Sequence, residues 1–290
     1  MPATIPICNV IIIALTTYLS WQGFKSPEFQ ERYLFSTTHI LDHSQYYRLI
    51  SSGFLHTDWI HLLFNMFSLY SFGSLIEIIF GFHKFFIIYF VSILGGNIVS
   101  LYFHRNHYYQ ALGASGGVCG IIFAAIFLLP GGGVYIFPIP FPIPSYLYAI
   151  LFVLISFSGM WSQTGNIGHD AHLGGAIVGL LTTTLLYPFI IQKSPLLYFA
   201  VMGIAVLLFF YTYKYPLYFQ KTNPLNPADW RNILTDIKTS HERKRRISNE
   251  QILDRILDKI SRSGIDSLTT SEKKLLEKIS QRMRESGKID

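Results

Sequence analysis

Apolar residues in this chain fall into long unbroken runs, separated by short polar or Gly/Pro-rich connections. Seven runs stand out, near 5–21, 60–80, 85–103, 114–129, 146–160, 171–191 and 196–213. A helix that crosses a bilayer needs about 20 mostly apolar residues, and about 17 is the lower limit. The first, fourth and fifth runs are short by that measure. A membrane barrel would instead show alternating segments of about ten residues. The pattern therefore predicts an all-α, polytopic transmembrane helical bundle of six core helices, with a seventh at the C-terminal side. The expected organisation is a core over 1–192, an additional transmembrane helix over 193–213 and a soluble, charged tail over 214–290.

The connections refine this picture. Residues 22–59 are polar and aromatic, with Trp21, Trp59 and several tyrosines, a composition suited to the membrane interface. The short turn Gly81-Phe82-His83-Lys84 predicts that the second and third spans return antiparallel. Residues 130–144 carry prolines at alternate positions, which block a helix and favour an extended apolar connector at the membrane surface. Residues 158–168 read as a flexible loop and a candidate lid. Beyond Lys214 two amphipathic helices are readable. One carries Ile252, Leu253, Ile256, Leu257 and Ile260 on one face and is ended by Gly264. The next opens with the capping pair Thr269 and Glu272 and continues through Leu275, Leu276 and Ile279. This hairpin reads as a solvated tail without chemistry of its own.

Composition narrows the classes. Half of the 290 residues are hydrophobic, and the net charge of +6 is concentrated at the C-terminal end. No basic stripe with interleaved aromatics occurs, so no nucleic-acid partner is expected. The only cysteines, Cys8 and Cys119, lie in apolar runs and read as small core residues, with neither a disulfide nor a metal site implied. No Lys or Arg precedes the first run, so it is expected to be a retained helix and not a cleaved signal peptide. Charge does not settle the topology. Lys84 and Lys193 agree with one orientation, Arg32, Arg48 and Arg105 oppose it, and the basic run at 241–246 lies in a long tail that the positive-inside rule does not govern.

Three polar sets interrupt the apolar helices: Gly113-Ala114-Ser115-Gly116, Ala171-His172-Leu173-Gly174-Gly175, and the pair His61 and Asn65. His61 and Asn65 are four residues apart and share a helical face. Ionisable groups inside a membrane are costly and mark functional sites. A serine hydroxyl becomes a nucleophile only when a base removes its proton, and His172 can supply that base. Gly175 and Gly179 share the face of His172, while Gly116, Gly117 and Gly120 follow Ser115, so two small-residue faces can bring the imidazole to the hydroxyl. Backbone N–H groups at the start of the serine helix suit oxyanion stabilisation. The combination implies a serine hydrolase with its active site below the membrane surface. Asp170 is two residues from His172, so a helix would turn the two side chains apart. His169 shares the His172 face and is expected to look into a polar cavity.

The motifs His61-x-x-x-Asn65, Gly113-x-Ser115-Gly116 and Ala171-His172-x-x-Gly175-x-x-x-Gly179, in that order and on separate helices, resemble those of the rhomboid family of intramembrane serine proteases. Tyr47-Arg48 resembles that family's Trp-Arg pair, with Tyr in place of Trp. His56 before His61, Glu77 at the far end of the second span, and the Pro-Ile-Pro connector also match. The resemblance covers roughly residues 5–190. It implies a Ser115–His172 dyad without a required acid, oxyanion stabilisation by His61, Asn65 and the Ser115 N–H, and a pocket shaped by Gly113. Arg48, His56 and Glu77 are implied as structural anchors, and Gly116, Gly175 and Gly179 as supporting positions. The implied substrate is the transmembrane helix of another membrane protein, cut where helix-weakening residues let it unwind. Membrane lipids are the surroundings, and neither a metal nor an organic cofactor is implied. The compact layout suggests a bacterial cytoplasmic membrane.

Other classes fit less well. No His-Glu-x-x-His zinc site is present, and Asp170 has no second aspartate for an aspartyl mechanism. A transporter could place His and Asn in its spans without needing the serine motif. A rhomboid-like pseudoprotease that binds membrane helices without cleaving them stays open, although the dyad and oxyanion residues are all kept.

Overall fold

The computed structural model describes residues 5–106, 108–135, 140–162 and 168–214, together with positions 256, 258–262, 264, 267–269, 272 and 276. The chain divides into two compact units, Met1–Pro224 and Leu225–Asp290. All seven apolar runs are helical, and the only strands among the described residues are two-residue pairs. Among the described residues, four helices are long and apolar enough to cross a membrane: Ile7–Lys25, Trp59–Phe80, Phe82–His104 and Pro195–Thr212. Ser115–Leu128 and Ser145–Met160 are shorter apolar helices.

Helix α1 (Ile7–Lys25) starts without a capping side chain of its own. Its exposed N–H groups are met from another helix: Glu77 accepts from the Cys8 and Asn9 N–H groups at 2.9 and 2.7 Å. A carboxylate there satisfies orphan donors and favours the positive end of the helix dipole. Ser26 ends α1 and accepts from Phe29 N–H to open α2 (Pro27–Tyr33), with Pro27 at the first helical position. The polar-aromatic segment is therefore largely structured. It continues through β1 (Phe35–Ser36), α3 (Thr37–Leu41), α4 (Arg48–Ser51) and a 3-10 turn over Ser52–Phe54.

The second span is α5 (Trp59–Ser68), a π-helical stretch over Leu69–Gly73, and α6 (Ser74–Phe80). The π turn leaves the Leu69 carbonyl to accept from Asn9 Nδ2 at 3.0 Å, and the same Nδ2 donates to Ser74 Oγ at 3.0 Å. Gly81, at φ +87, turns the chain into α7 (Phe82–His104). Strand β2 (Gln110–Ala111) then pairs antiparallel with β1, Phe35 opposite Ala111.

The core is built around α8 (Ser115–Leu128), which is buried on every side from Gly116 to Leu128. An all-apolar helix of this kind belongs inside a bundle. It packs on α7 and α10 (His169–Leu186). The three backbones touch. A β-carbon on Gly175 would run into the Gly116 carbonyl oxygen, one on Gly179 into Gly120 Cα, and one on Gly120 into Ser92 Oγ of α7. Small residues at such crossings let membrane helices associate by close packing in place of a hydrophobic driving force.

Two boundaries differ from the sequence expectation. Helix α9 (Ser145–Ser162) runs into the segment expected as a loop over 158–168, covering 158–162. Buried Met160, together with Gly159, which lies directly against the His169 ring of α10, makes packing there worth more than the intrinsic reluctance of Ser and Gly to be helical. Residues 163–167 lie outside the described residues. The sixth run ends at Leu186, not 191, because Pro188 forces Tyr187 out of the helical region. A short α11 (Ile190–Lys193) follows, and then α12 (Pro195–Lys214) packs on α9. The Pro-rich connector forms an antiparallel pair, β3 (Gly133–Val134) with β4 (Ile143–Pro144), with 136–139 outside the described residues.

In the C-terminal unit, Gly264 adopts φ +76 and its N–H reaches Ile260 O at 2.9 Å, ending a helix there. Thr269 N–H donates to Glu272 Oε2 at 2.7 Å and Glu272 N–H to Thr269 Oγ1 at 3.3 Å, a reciprocal capping box. Lys259 adds two contacts to the Glu272 carboxylate at 2.8 and 2.9 Å. Ile252, Leu253, Leu257, Leu275 and Ile279 lie outside the described residues.

Candidate active site

Ser115 is the first residue of α8, where backbone N–H groups have no intrahelical acceptor. His172 lies one turn into α10. The helix crossing at Gly116 and Gly175 brings them together: His172 Nε2 and Ser115 Oγ are 2.6 Å apart, across 57 positions of sequence. Both line a cavity of about 960 Å³ whose wall also includes His61, Asn65, Gly113 and Gly116. Every residue expected at the reacting centre is therefore gathered in one place.

The three oxyanion candidates are not equivalent. Asn65 is buried and spends one amide hydrogen on the His61 carbonyl at 2.9 Å, which leaves its second for the cavity. His61 turns its Nε2 edge toward Gly113, where a β-carbon would stand 3.1 Å from that nitrogen. Gly113 itself has φ +143, a conformation that side chains rarely adopt. Its N–H donates to Ser52 O at 3.0 Å and so is not aimed into the cavity. Gly113 thus contributes shape and close approach, not a donor.

The supporting residues sit one layer out. His56 is fully buried. Ala114 N–H donates to its Nε2 at 3.4 Å, so Nδ1 carries the hydrogen and donates to Ser20 Oγ at 2.9 Å, and Ser20 in turn donates to Phe54 O. Burial, reinforced by His61, pushes the pKa of His56 down to about 3, in keeping with the neutral ring. His56 thereby fixes the backbone immediately before Ser115. Arg48 Nη1 donates to the Glu31 and Leu34 carbonyls at 2.8 and 2.7 Å, and its Nε to Gln45 Oε1 at 2.7 Å, pinning the segment outside the bundle. Glu77, at the far end of the second span, caps α1 as described above.

Sequence reasoning missed several contributors. Asn97 donates to Leu49 O and to Ser52 Oγ at 2.8 and 3.1 Å, holding the residue whose carbonyl receives Gly113 N–H. No local pattern marks Asn97 within an apolar helix. Asp58 accepts from His61 N–H at 2.8 Å and is the N-cap of α5. An Asp directly before an apolar run is a helix-start signal, so this one was findable. The His61 N–H and then the Thr57 hydroxyl hold its carboxyl below the usual carboxylate range. Asp170 turns away from the dyad and pairs with His104 Nε2 at 3.1 Å. His169 does not line the cavity; its ring lies 6.1 Å from that of His172 and packs on Gly159. No group of three metal-ligating side chains occurs among the described residues.

Comparison with known proteins agrees with this architecture. The rhomboid domain matches residues 43–189. The chain is 28% identical over 177 residues to Rhomboid protein 1, mitochondrial, of Saccharomyces cerevisiae, covering 60% of this chain and 49% of that protein. It is 27% identical over 194 residues to RHOMBOID-like protein 12, mitochondrial, of Arabidopsis thaliana, covering 60% and 56%. With the Rhomboid protease GluP of Bacillus subtilis it shares 28% over 148 residues, covering 51% and 27%. The chain spans about half the length, or less, of these curated relatives. A family of unknown function matches residues 238–282. This chain belongs to the rhomboid family and is a multi-pass integral membrane protein with an all-α bundle. The relatives carry mitochondrial, plant and bacterial names, and the expected bacterial cytoplasmic membrane has no support among them.

Proposed function

We propose that this protein is an intramembrane serine endopeptidase that cleaves transmembrane helices of other membrane proteins. The observation that carries the reading is the 2.6 Å approach of His172 Nε2 to Ser115 Oγ inside a cavity that His61 and Asn65 also line. Neutral His172 takes the Ser115 proton as the hydroxyl attacks a substrate carbonyl, and returns it to the leaving amine. The oxyanion is received by the Ser115 N–H, the remaining Asn65 hydrogen and His61, with Gly113 leaving room for it. Arg48, His56 and Glu77 act as anchors.

The dimensions of α8 support a site below the surface. Its 14 residues reach about 21 Å at ~1.5 Å each, less than the ~30 Å hydrocarbon layer. Lys193 Nζ donates to Leu128 O at 3.2 Å, so the charged end of α8 is its C-terminal one. The Ser115 end then lies within the apolar layer and is reached by water through the cavity. The core runs over 1–192, 193–213 adds a further span, and the charged tail from 214, most of which falls in the second compact unit, is soluble.

The test is cleavage of a model transmembrane substrate by purified protein in lipid vesicles. Ser115→Ala should lower the rate to background while the thermal melt is unchanged. Fluorophosphonate labelling of the wild-type serine without any cleavage would point to a pseudoprotease that binds helices, and an unlabelled wild-type serine would overturn the dyad.

A further inference from the structure

The oxyanion role of His61 requires a hydrogen on Nε2, the nitrogen that faces Gly113. In a neutral imidazole, Nδ1 must then be an acceptor. The only polar contact of His61 Nδ1 among the described residues is Thr57 Oγ1, at 3.1 Å. Thr57 has a single hydroxyl hydrogen and a second acceptor within reach, Asp58 Oδ2 at 2.8 Å. The two acceptors compete for that hydrogen. With the hydrogen on Asp58, Thr57 can only accept from Nδ1–H, and Nε2 presents a bare lone pair to the site of the oxyanion. With the hydrogen on His61, Nε2 carries the proton and can donate.

We propose that Thr57 and Asp58 are positioning residues that set the tautomer of His61, and that the resting enzyme is held in the non-donating form. The charged, closer carboxylate is the stronger acceptor, and Asp58 cannot turn away because its other oxygen caps α5. Negative charge developing beside Gly113 favours the opposite arrangement. One proton leaves Nδ1 and one joins Nε2 through solvent in the open cavity, so the ring stays neutral throughout. The cost of that tautomer change subtracts from the stabilisation His61 gives the oxyanion, so a ring already in the donating form should stabilise the transition state more. The catalytic part of this inference rests on the proposed protease activity; the tautomer part does not.

Asp58→Asn separates this from a structural role. Asn caps a helix about as well as Asp, but its amide N–H₂ would donate to Thr57 Oγ1 and turn the Thr57 hydrogen onto His61. The full chain, labelled with ¹⁵N-histidine in lipid nanodiscs, reports which ring nitrogen is protonated, and His61→Gln assigns the signal. Wild type should show the His61 proton on Nδ1, and Asp58→Asn should move it to Nε2. The move should persist with Thr57→Ser, which keeps the hydroxyl, and vanish with Thr57→Val. In vesicles Asp58→Asn should raise kcat severalfold with KM unchanged. An unmoved His61 proton in Asp58→Asn would overturn the proposal whatever the activity. A moved proton with unchanged or lower kcat would overturn its catalytic part. A moved proton with no cleavage by any variant, wild type included, would instead place the failure in the protease reading.

Discussion

Among the described residues, the two units of this chain differ in how far their polar contacts reach. In the bundle the contacts that frame the site span long stretches of sequence: His172 and Ser115 by 57 positions, Ala114 and His56 by 58, Asn9 and Glu77 by 68. In the C-terminal unit Thr269 and Glu272 are three apart, and Lys259 and Glu272 thirteen. Inside a membrane no water can stand in for a missing partner, so a polar group must find one on its own helix or on another. In the tail, water is an adequate partner, and local bonds add only modest order. The bundle should therefore fail cooperatively when one crossing is disturbed, and the tail should lose its local order piecemeal.

The largest test of that contrast is Gly175→Val. The new side chain meets the Gly116 backbone, which cannot move aside, and the expected loss is about 3 kcal/mol or more, at the top of the overpacking range. Gly203→Val on α12, where a β-carbon meets nothing within 4 Å, should be nearly neutral. Folded yield and thermal denaturation in detergent compare the two. Equal melting points would refute the backbone-contact account of the core.

A middle-sized effect concerns acid. The folded-state pKa of His56 is about 3, against 6.5 for a free imidazole. Below 6.5 the unfolded chain takes up a proton that the folded chain refuses, so this contribution to stability falls as pH drops from about 6.5 toward about 3. Melting temperature measured across that window should decline in wild type and decline less in His56→Gln. Parallel slopes for the two proteins would show that the ring is not held neutral by burial.

The smallest effect belongs to the tail. Thr269→Ala removes the capping hydroxyl and should cost about 1 kcal/mol in local stability. Hydrogen exchange should accelerate near 269–276, with no change in the rate of Ser115 labelling. Slower labelling would mean that the tail is energetically coupled to the site, against the piecemeal view.

Local order was legible in the sequence because its causes are local. The apolar runs gave the helices, Gly264 and the Thr269–Glu272 pair gave a helix end and a helix start, and the spacing of His61 and Asn65 placed both on one face. Where reading failed, the deciding contact came from elsewhere. Residues 158–162 look like loop but are helical, with Gly159 packed against the His169 ring of α10, and His169 looks like a cavity residue but faces α9. The end of α10 at Leu186 was readable from Pro188 and was overrun only because the flanking residues are apolar.

The order and type of the candidate site residues were set by sequence alone: a serine at a glycine-rich helix start, a histidine on a small-residue face, and a His/Asn pair. Composition also determined that these lie in apolar helices of a membrane bundle. Tertiary structure decided which hydrogens are free to act. Gly113 has its N–H spent on Ser52, and the helix crossing at Gly116 and Gly175 sets His172 against Ser115. Residue type and the bonds within one helical turn, such as Asn65 to His61, follow from the chain, but a bond such as Gly113 N–H to Ser52 O exists only because the fold brings distant segments together.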